Sequence, residues 1–167
     1  MEGEEDLIDE EVTAVVLALI VVAGVFTFSQ AFLAGRVVEP FSELGVLGAE
    51  MKIGDYPREV LVNESFKLHL YIGNHEGRIM YYTIYIKLGD KSTLVNETIP
   101  ANTSTIAFYE AILPHNETVI IPVNIRINTP GRNLRLIFEM WIHDGGLLKY
   151  HGRWCQLWLN VTAPQKP

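Results

Sequence analysis

An unbroken run of uncharged residues, 12–34, constrains the fold of this 167-residue chain more than any other feature. At ~1.5 Å rise per residue, an α-helix over this run would be about 35 Å long, enough to cross the ~30 Å hydrocarbon core of a bilayer. The run is apolar on every side, whereas a surface helix of a soluble domain keeps one polar face. The sequence therefore predicts one transmembrane helix at residues 12–34, preceded by an acidic segment at residues 1–11.

A cleaved signal peptide is the alternative interpretation of the same run. Signal peptides begin with basic residues and have a shorter apolar stretch, but residues 1–11 contain no Lys or Arg. Residues 29–31, Ser-Gln-Ala, are compatible with cleavage, so this alternative stays open. In a retained helix, Ala23, Thr27 and Ala31 would form a small-residue face at four-residue spacing, which favours packing against another membrane helix.

Two features give opposite indications about orientation. Arg36 directly follows the run, and basic residues favour the cytoplasmic side. Asn-X-Ser/Thr motifs also follow it, and such acceptors of N-linked glycans belong on exported domains. The acceptor asparagines are Asn63, Asn96, Asn102, Asn116 and Asn160. One basic residue orients a helix only weakly, so we predict a cytoplasmic N-terminus and a glycosylated, extracytoplasmic C-terminal domain at the cell surface.

The charge balance excludes some classes of partner. The net charge of −7 comes from residues 1–11, and the rest of the chain has equal numbers of acidic and basic side chains. A neutral domain offers no electrostatic attraction to nucleic acid. Cys155 is the only cysteine, so neither an intrachain disulfide nor a thiolate metal cluster can form. No phosphate-binding, dinucleotide-binding or zinc-protease motif occurs, and we predict no cofactor.

Apolar and polar residues alternate from Glu59 onward, which indicates strands with one buried face. Seven or eight such runs, separated by turn residues, predict an immunoglobulin-like antiparallel β-sandwich over residues 58–162. Residues 35–57 show no regular period and are interpreted as a juxtamembrane connector, and residues 163–167 as a tail. Pro122 within a run predicts an edge strand or a bulge. The clearest alternating runs are residues 66–72, 84–88, 121–127, 134–142 and 155–161.

The tryptophans form the candidate binding surface. If Asn160 points outward as a glycan acceptor, the pleat directs Trp158 and Trp154 outward as well. Trp141 lies on the polar side of the preceding run, so three indoles would share one outer face. Such a face is typical of a binding surface for a protein or a glycan. The alternative is an indole cluster buried under the connector or under neighbouring side chains.

Several short segments carry a family resemblance. They are EPFSEL at 39–44 with Leu47 and Gly48, GDYP at 54–57, GNHEG at 73–77 followed by YTI at 82–84, and NETVIIPVNI at 116–125. Together they resemble an archaeal family known as domain of unknown function 1616, over about residues 37–162. The resemblance implies an archaeal membrane protein with an extracytoplasmic β-domain and no established activity. Many relatives look as if they have several membrane helices before the domain, whereas this chain has one.

The sequence context of the candidate polar residues predicts structural rather than catalytic roles for them. We predict that Asp55, Tyr56 and Pro57 form one structural turn. Asn74, His75 and Glu76 form another, in which Asn74 bonds backbone groups and His75 or Glu76 contacts residues 41–57.

Two further groups contain side chains that can carry chemistry. His143, Asp144 and His151 flank the last hairpin and are a weaker candidate for a metal site. Ser42 and Glu43 have no base near them in the sequence and form no nucleophile motif. We therefore predict no catalytic and no metal-binding residue.

These features together predict a non-catalytic, single-pass, membrane-anchored β-sandwich. It would act as a protein- or glycan-binding or structural accessory subunit of an envelope or membrane assembly. The expected partners are the membrane, through one helix, other envelope or membrane proteins, and N-linked glycans, with no nucleic acid. Two alternatives remain: a metal-dependent hydrolase of cell-surface polymers, and a subunit of an extracellular filament joined through an open strand edge. The acidic N-terminal segment lacks a pilin processing site, which disfavours the filament.

Overall fold

The computed structural model describes residues 10–34 and 39–163, with the side chain of Ala34 left out. The predicted acidic segment falls mostly outside the described residues, as does the predicted tail; residues 35–38 of the predicted connector also lie outside them. The elements are α1 (Glu10–Ala34), β1 (Phe41–Leu47), β2 (Glu59–Leu61), β3 (Ser65–His75), β4 (Met80–Gly89), β5 (Ser104–Leu113), β6 (Thr118–Arg126), β7 (Gly131–Asp144) and β8 (Leu147–Thr162). The helix and the residues from Pro40 onward are separate compact units.

Helix α1 is long and apolar enough to span a membrane over Glu10–Leu33, by length and composition alone. Glu10 and Glu11 occupy its first turn, where carboxylates interact favourably with the positive end of the helix dipole. Thr27 Oγ1 donates a hydrogen bond to Ala23 O at 2.7 Å, so this hydroxyl is satisfied within the helix. The chain therefore has a candidate membrane anchor, and a signal sequence would share these features.

Two sheets face each other across one apolar core. The first has the strand order β1-β3-β6, and the second has the order β2-β8-β7-β4-β5. Alternate side chains of the strands point inward, as the period of two requires. The largest fully buried side chains include Leu68 and Ile72 from the first sheet, and Tyr82 and Phe138 from the second. The predicted fold class, a β-sandwich preceded by one apolar helix, is confirmed.

Two details of the domain differ from the prediction. Residues 41–47, interpreted as part of a connector, form β1 and pair antiparallel with β3 from Phe41↔His75 to Leu47↔His69. Their inward positions include the polar Ser42, which interrupts the apolar alternation that marks the other strands. The sandwich is also not wholly antiparallel, because the short β2 pairs in parallel with the end of β8.

The prediction for Pro122 is confirmed. It lies in β6 opposite His69 of β3, and β6 is an outer strand of the first sheet. A proline at this place removes a backbone donor from an open sheet edge, where no neighbouring strand requires it.

A bulge in β8 and a long loop shape the outer side of the second sheet. β8 has two extra residues, His151 and Gly152, opposite the Met140–Trp141 step of β7. Gly152 has a φ of 73°, and a Cβ there would lie 2.5 Å from the carbonyl oxygen of Glu97. Glycine is therefore required for the backbone conformation and for the close approach of the β4–β5 loop, residues 90–103.

Candidate functional site: an aromatic outer face and two buried polar clusters

An aromatic row crosses four strands on the side of the second sheet that faces away from the core. It begins at Phe108 of β5, whose ring centroid lies 6.2 Å from that of Tyr85 in β4. Tyr85 meets Trp141 of β7 edge-on at 5.8 Å, and Trp141 lies 5.5 Å from Tyr150 of β8. These offset and edge-to-face geometries are favourable for aromatic pairs. We call this side of the sheet the aromatic outer face.

Arg135 holds the other two indoles of the aromatic outer face. Its guanidinium carbon lies 5.3 Å from the ring of Trp154 and 5.7 Å from that of Trp158. The same side chain donates to Gln156 Oε1 and to the backbone oxygen of Thr93 in the β4–β5 loop. Cation–π contacts and the hydrogen bonds together fix Arg135 and orient both rings.

Trp158 lies beside an open cleft of about 610 Å³. The cleft has one wall from the turn that contains Asp55 and Tyr56, and another from β8; Arg58 lies in it as well. Trp158 is 43% exposed, so it offers an apolar surface in a cleft that also has a carboxylate and a guanidinium. The structure therefore brings together residues of the predicted Trp surface and of the predicted Asp-Tyr-Pro turn.

Glu139 is fully buried on the aromatic outer face, under the β4–β5 loop. One carboxylate oxygen lies 2.9 Å from Lys87 Nζ and accepts from Trp141 Nε1 at 3.2 Å. The other accepts from the backbone N–H of Ala101, and Lys87 also donates to Ala101 O. The loop thus covers a paired carboxylate and ammonium. Throughout the described residues, every buried polar side-chain atom has a hydrogen-bond partner.

On this face the three tryptophans lie as the sequence predicts, but Glu139 does not. Trp141, Trp154 and Trp158 do share one outer side, but Glu139 does not face solvent as its polar position in β7 suggests. The cover is the β4–β5 loop rather than the segment interpreted as a connector: Tyr150 OH donates to Asn96 O at 2.8 Å. Sequence reasoning misses this because a loop reveals no period that would place it over a sheet.

A second polar cluster lies between the sheets, at the end where β1 begins. Ser42 Oγ donates to Glu76 Oε1 at 2.6 Å and lies 2.9 Å from Tyr82 OH. His151 Nε2 lies 2.9 Å from Ser42 Oγ and 3.1 Å from Glu76 Oε1. The sequence shows no base near Ser42, but folding brings one from the β8 bulge.

This cluster has a serine, a histidine and a glutamate, but not the relay of a nucleophilic site. With Ser42 donating to Glu76, the two oxygens near His151 Nε2 both suit a proton carried by that nitrogen. A nitrogen that carries a proton cannot accept one from the serine, and the carboxylate bonds the same nitrogen rather than the opposite one. Burial lowers the pKa of His151, which Glu76 partly opposes.

The Asn-His-Glu turn connects three parts of the domain. Asn74 is buried, and its Nδ2 donates to the backbone oxygens of Arg78 at 2.8 Å and Leu113 at 2.7 Å. Its Oδ1 accepts from the backbone N–H of Glu76 at 2.9 Å. His75 stacks on Phe41 with ring centroids 4.6 Å apart. These side chains therefore tie the β3–β4 turn to β1 and to the end of β5.

The Asp-Tyr-Pro turn packs against the other end of β1. Asp55 adopts a left-handed φ of 51°, a conformation that aspartate tolerates better than most residues. Tyr56 OH donates to Val46 O at 2.8 Å, which satisfies a carbonyl on the outer edge of β1. Tyr56 and Pro57 are half-buried. The turn thus covers one edge of the first sheet.

The other candidate metal ligands do not converge. His143 stacks on Tyr81 at 3.9 Å and hydrogen-bonds Thr83 at 2.9 Å. Asp144 pairs with Lys149 at 2.8 Å, and that bond is the main cause of its lowered pKa. His151 belongs to the Ser42 cluster. Within residues 10–34 and 39–163, no group of three His, Cys, Asp or Glu side chains is placed to hold a metal ion.

The glycan acceptors occupy different surfaces. Four of the five side chains are exposed: Asn63, Asn96, Asn102 and Asn116. Asn160 is half-buried in β8, and its Oδ1 accepts from the backbone N–H of Asn133 at 2.9 Å. Their glycosylation stays a prediction. The small residues Ala23, Thr27 and Ala31 are exposed on α1, and helix packing through them also stays a prediction.

Structural comparison finds matches of low sequence identity among solved proteins. The chain is similar to the CARDB domain of the PF1109 protein from Pyrococcus furiosus, solved in complex with di-metal ions, at 10% identity and a TM-score of 0.47; the match covers 77% of this chain and 95% of that one. A β-glucosidase from Listeria innocua matches at 13% identity and a TM-score of 0.45, over 73% of this chain but 16% of the enzyme. Similarities at this level do not extend to ligands or activity.

No curated protein matches the chain. A family profile does match it, over residues 36–146. This range contains β1 to β7, and with them the Asp-Tyr-Pro and Asn-His-Glu turns, Ser42 and Glu139. Because the match covers well over half of the sequence, the chain belongs to the family described as domain of unknown function DUF1616.

Proposed function

We propose that this protein is a non-catalytic, membrane-anchored binding module, an accessory subunit of an envelope or membrane assembly. In this proposal α1 crosses the membrane with its N-terminus in the cytoplasm, and the sandwich lies outside the cell with N-linked glycans. The ligand is a cell-surface glycan or a protein that carries one. It binds the cleft that Trp158 shares with Asp55 and Arg58.

The cleft at Trp158 is the observation that carries the proposal. It combines an exposed indole, a carboxylate, a guanidinium and the amide of Gln156. A sugar ring has an apolar face and a rim of hydroxyl groups, so an aromatic surface flanked by charged and amide groups suits it. The indole is already oriented by Arg135, which lowers the entropic cost of binding.

The uses of the polar side chains also support a binding role. Hydrogen bonds join Ser42, His151 and Glu76 to one another. Glu139 pairs with Lys87 and accepts a hydrogen bond from the β4–β5 loop. A catalytic acid, base or nucleophile must be within hydrogen-bond reach of the substrate. In this fold these groups are instead used in hydrogen bonds and ion pairs within the domain. Stoichiometric metal in protein purified from its membranes would instead favour the hydrolase alternative.

The experiment is purification of the full tagged chain from native membranes, with analysis of the proteins and glycans retained. We expect a specific ligand that Trp158→Ala loses and that Trp158→Phe retains in part. Met51→Ala is the matched control, because Met51 is an exposed apolar side chain outside the cleft. Recovery of the chain alone, or equal retention by Trp158→Ala and Met51→Ala, would contradict the proposal.

A further inference from the structure

The sandwich has one end at which the chain enters it. β1 begins there at Phe41, and residues 35–40 alone separate it from the last residue of α1. The strand registers bring the β3–β4, β5–β6 and β7–β8 turns to the same end. We call it the entry end.

Two turns of the entry end present aliphatic side chains to solvent. Ile79, in the β3–β4 turn, is 69% exposed. Leu147, at the start of β8, is 64% exposed, and Leu148 beside it is exposed as well. Isolated exposed apolar residues are common, whereas several in adjacent turns form a patch of the kind that marks an interaction site.

The two turns are held in place relative to each other. Arg78 lies 3.4 Å from Asp144, which also pairs with Lys149 at 2.8 Å, so one carboxylate links the two turns and is shared by two cations. Gly145 and Gly146 have φ of 60° and 79°, as a tight two-residue hairpin requires. The aliphatic side chains are thus displayed by short, fixed turns rather than by a long loop.

We propose that the entry end rests on the lipid bilayer that holds α1, with Ile79, Leu147 and Leu148 in the interfacial region. The six residues between α1 and β1 span at most ~20 Å when fully extended, so such a contact would be intramolecular and would need little affinity of its own. Aliphatic side chains partition into the interface by the area they bury. Of the five glycan acceptors, Asn116 alone lies in a turn of this end, so most predicted sugars leave it free. The contact rests on the membrane anchoring proposed above but is independent of the cleft at Trp158.

The test uses the full chain in phosphatidylcholine nanodiscs, with a single environment-sensitive fluorophore. It is attached in turn to Ile79→Cys, Leu147→Cys and Ile53→Cys. Ile53 follows the other end of β1 and is 86% exposed, so it is a control with greater exposure. Burial raises the pKa of the Cys155 thiol to about 12, so it stays protonated and unreactive at neutral pH. The unsubstituted chain, treated in the same way, reports any background labelling.

We expect a blue shift at positions 79 and 147, and loss of fluorescence when part of the lipid carries a doxyl quencher. Position 53 should show neither effect. Equal quenching at all three positions, or none at 79 and 147, would overturn the proposal. A blue shift without doxyl quenching would mean that protein covers the turns, which also overturns it. None of these outcomes depends on a ligand at Trp158, so this test and that of the proposed function can fail separately.

Discussion

Two polar clusters are buried in the same sandwich, but different parts of the structure bury them. The Ser42 cluster lies between the sheets, and its members come from β1, the β3–β4 turn, β4 and β8. The Glu139 cluster lies on the aromatic outer face and is covered by a single loop. The first is sealed by the elements that form the core, and the second by a segment that could be displaced without opening the core.

The clusters also differ in charge. Glu139 and Lys87 form an ion pair with the carboxylate wholly removed from solvent. Removing one partner of such a pair leaves an uncompensated buried charge, which is more costly than losing a neutral hydrogen bond. The loop-covered cluster, although it is farther from the core, should therefore be more sensitive to substitution than the Ser42 cluster.

The largest expected effect is that of Glu139→Ala. It leaves Lys87 without its carboxylate and the Ala101 N–H without its acceptor, so we expect a loss of about 3–5 kcal/mol in the free energy of unfolding. Denaturant unfolding followed by tryptophan fluorescence measures it. Glu110→Ala is the control, because Glu110 is exposed and its carboxylate accepts from Tyr81 OH alone among the described bonds. Similar losses for the two variants would contradict the ranking.

Ser42→Ala should have the next largest effect. It removes a donor to Glu76 and leaves the buried hydroxyl of Tyr82 without this partner. Loss of one member of a buried hydrogen-bonded group costs about 1–3 kcal/mol. The same unfolding assay checks it, and Ser42→Ala with Tyr82→Phe should cost less than the sum of the two single changes. Strict additivity would show that the two hydroxyls do not act together.

Gly152→Ala tests the loop that covers Glu139. A left-handed φ costs an alanine about 1–2 kcal/mol, and its Cβ would meet Glu97 O. We expect faster hydrogen exchange at residues 93–99, with little change in β3. Gly77→Ala is the control, because Gly77 also has a positive φ but open space around it. Equal exchange in the two variants would mean that Gly152 does not hold the loop.

The smallest expected effect is a change in pH dependence through His151. Burial lowers its folded-state pKa, so the unfolded chain binds more protons and stability falls as the pH drops below about 6.5. His151→Gln retains an amide donor but cannot titrate in this range. Its unfolding free energy should therefore change less between pH 7 and pH 5 than that of the unaltered chain. Parallel pH profiles would exclude His151 as the origin of the acid sensitivity.

Much of the architecture follows from local patterns. The apolar run gives α1, and the period of two gives β3, β4, β6, β7 and β8, because a strand with one buried face must alternate. β1 was missed since its inward position 42 is a serine, which is tolerated there only because Glu76, Tyr82 and His151 bond it. The alternation fails where a polar side chain finds its partners in distant parts of the chain.

The sequence by itself determined an apolar helix, a neutral strand-rich domain, its family and an outward set of three indoles. Tertiary structure alone decided that Glu139 is buried, that His151 reaches Ser42, and that Trp158 shares a cleft with the Asp-Tyr-Pro turn. Hydrophobic periodicity is a property of neighbouring residues, so it can be detected along the chain. Polar clusters join residues far apart in sequence, and their partners are set only when the sheets pack and the loops cover them.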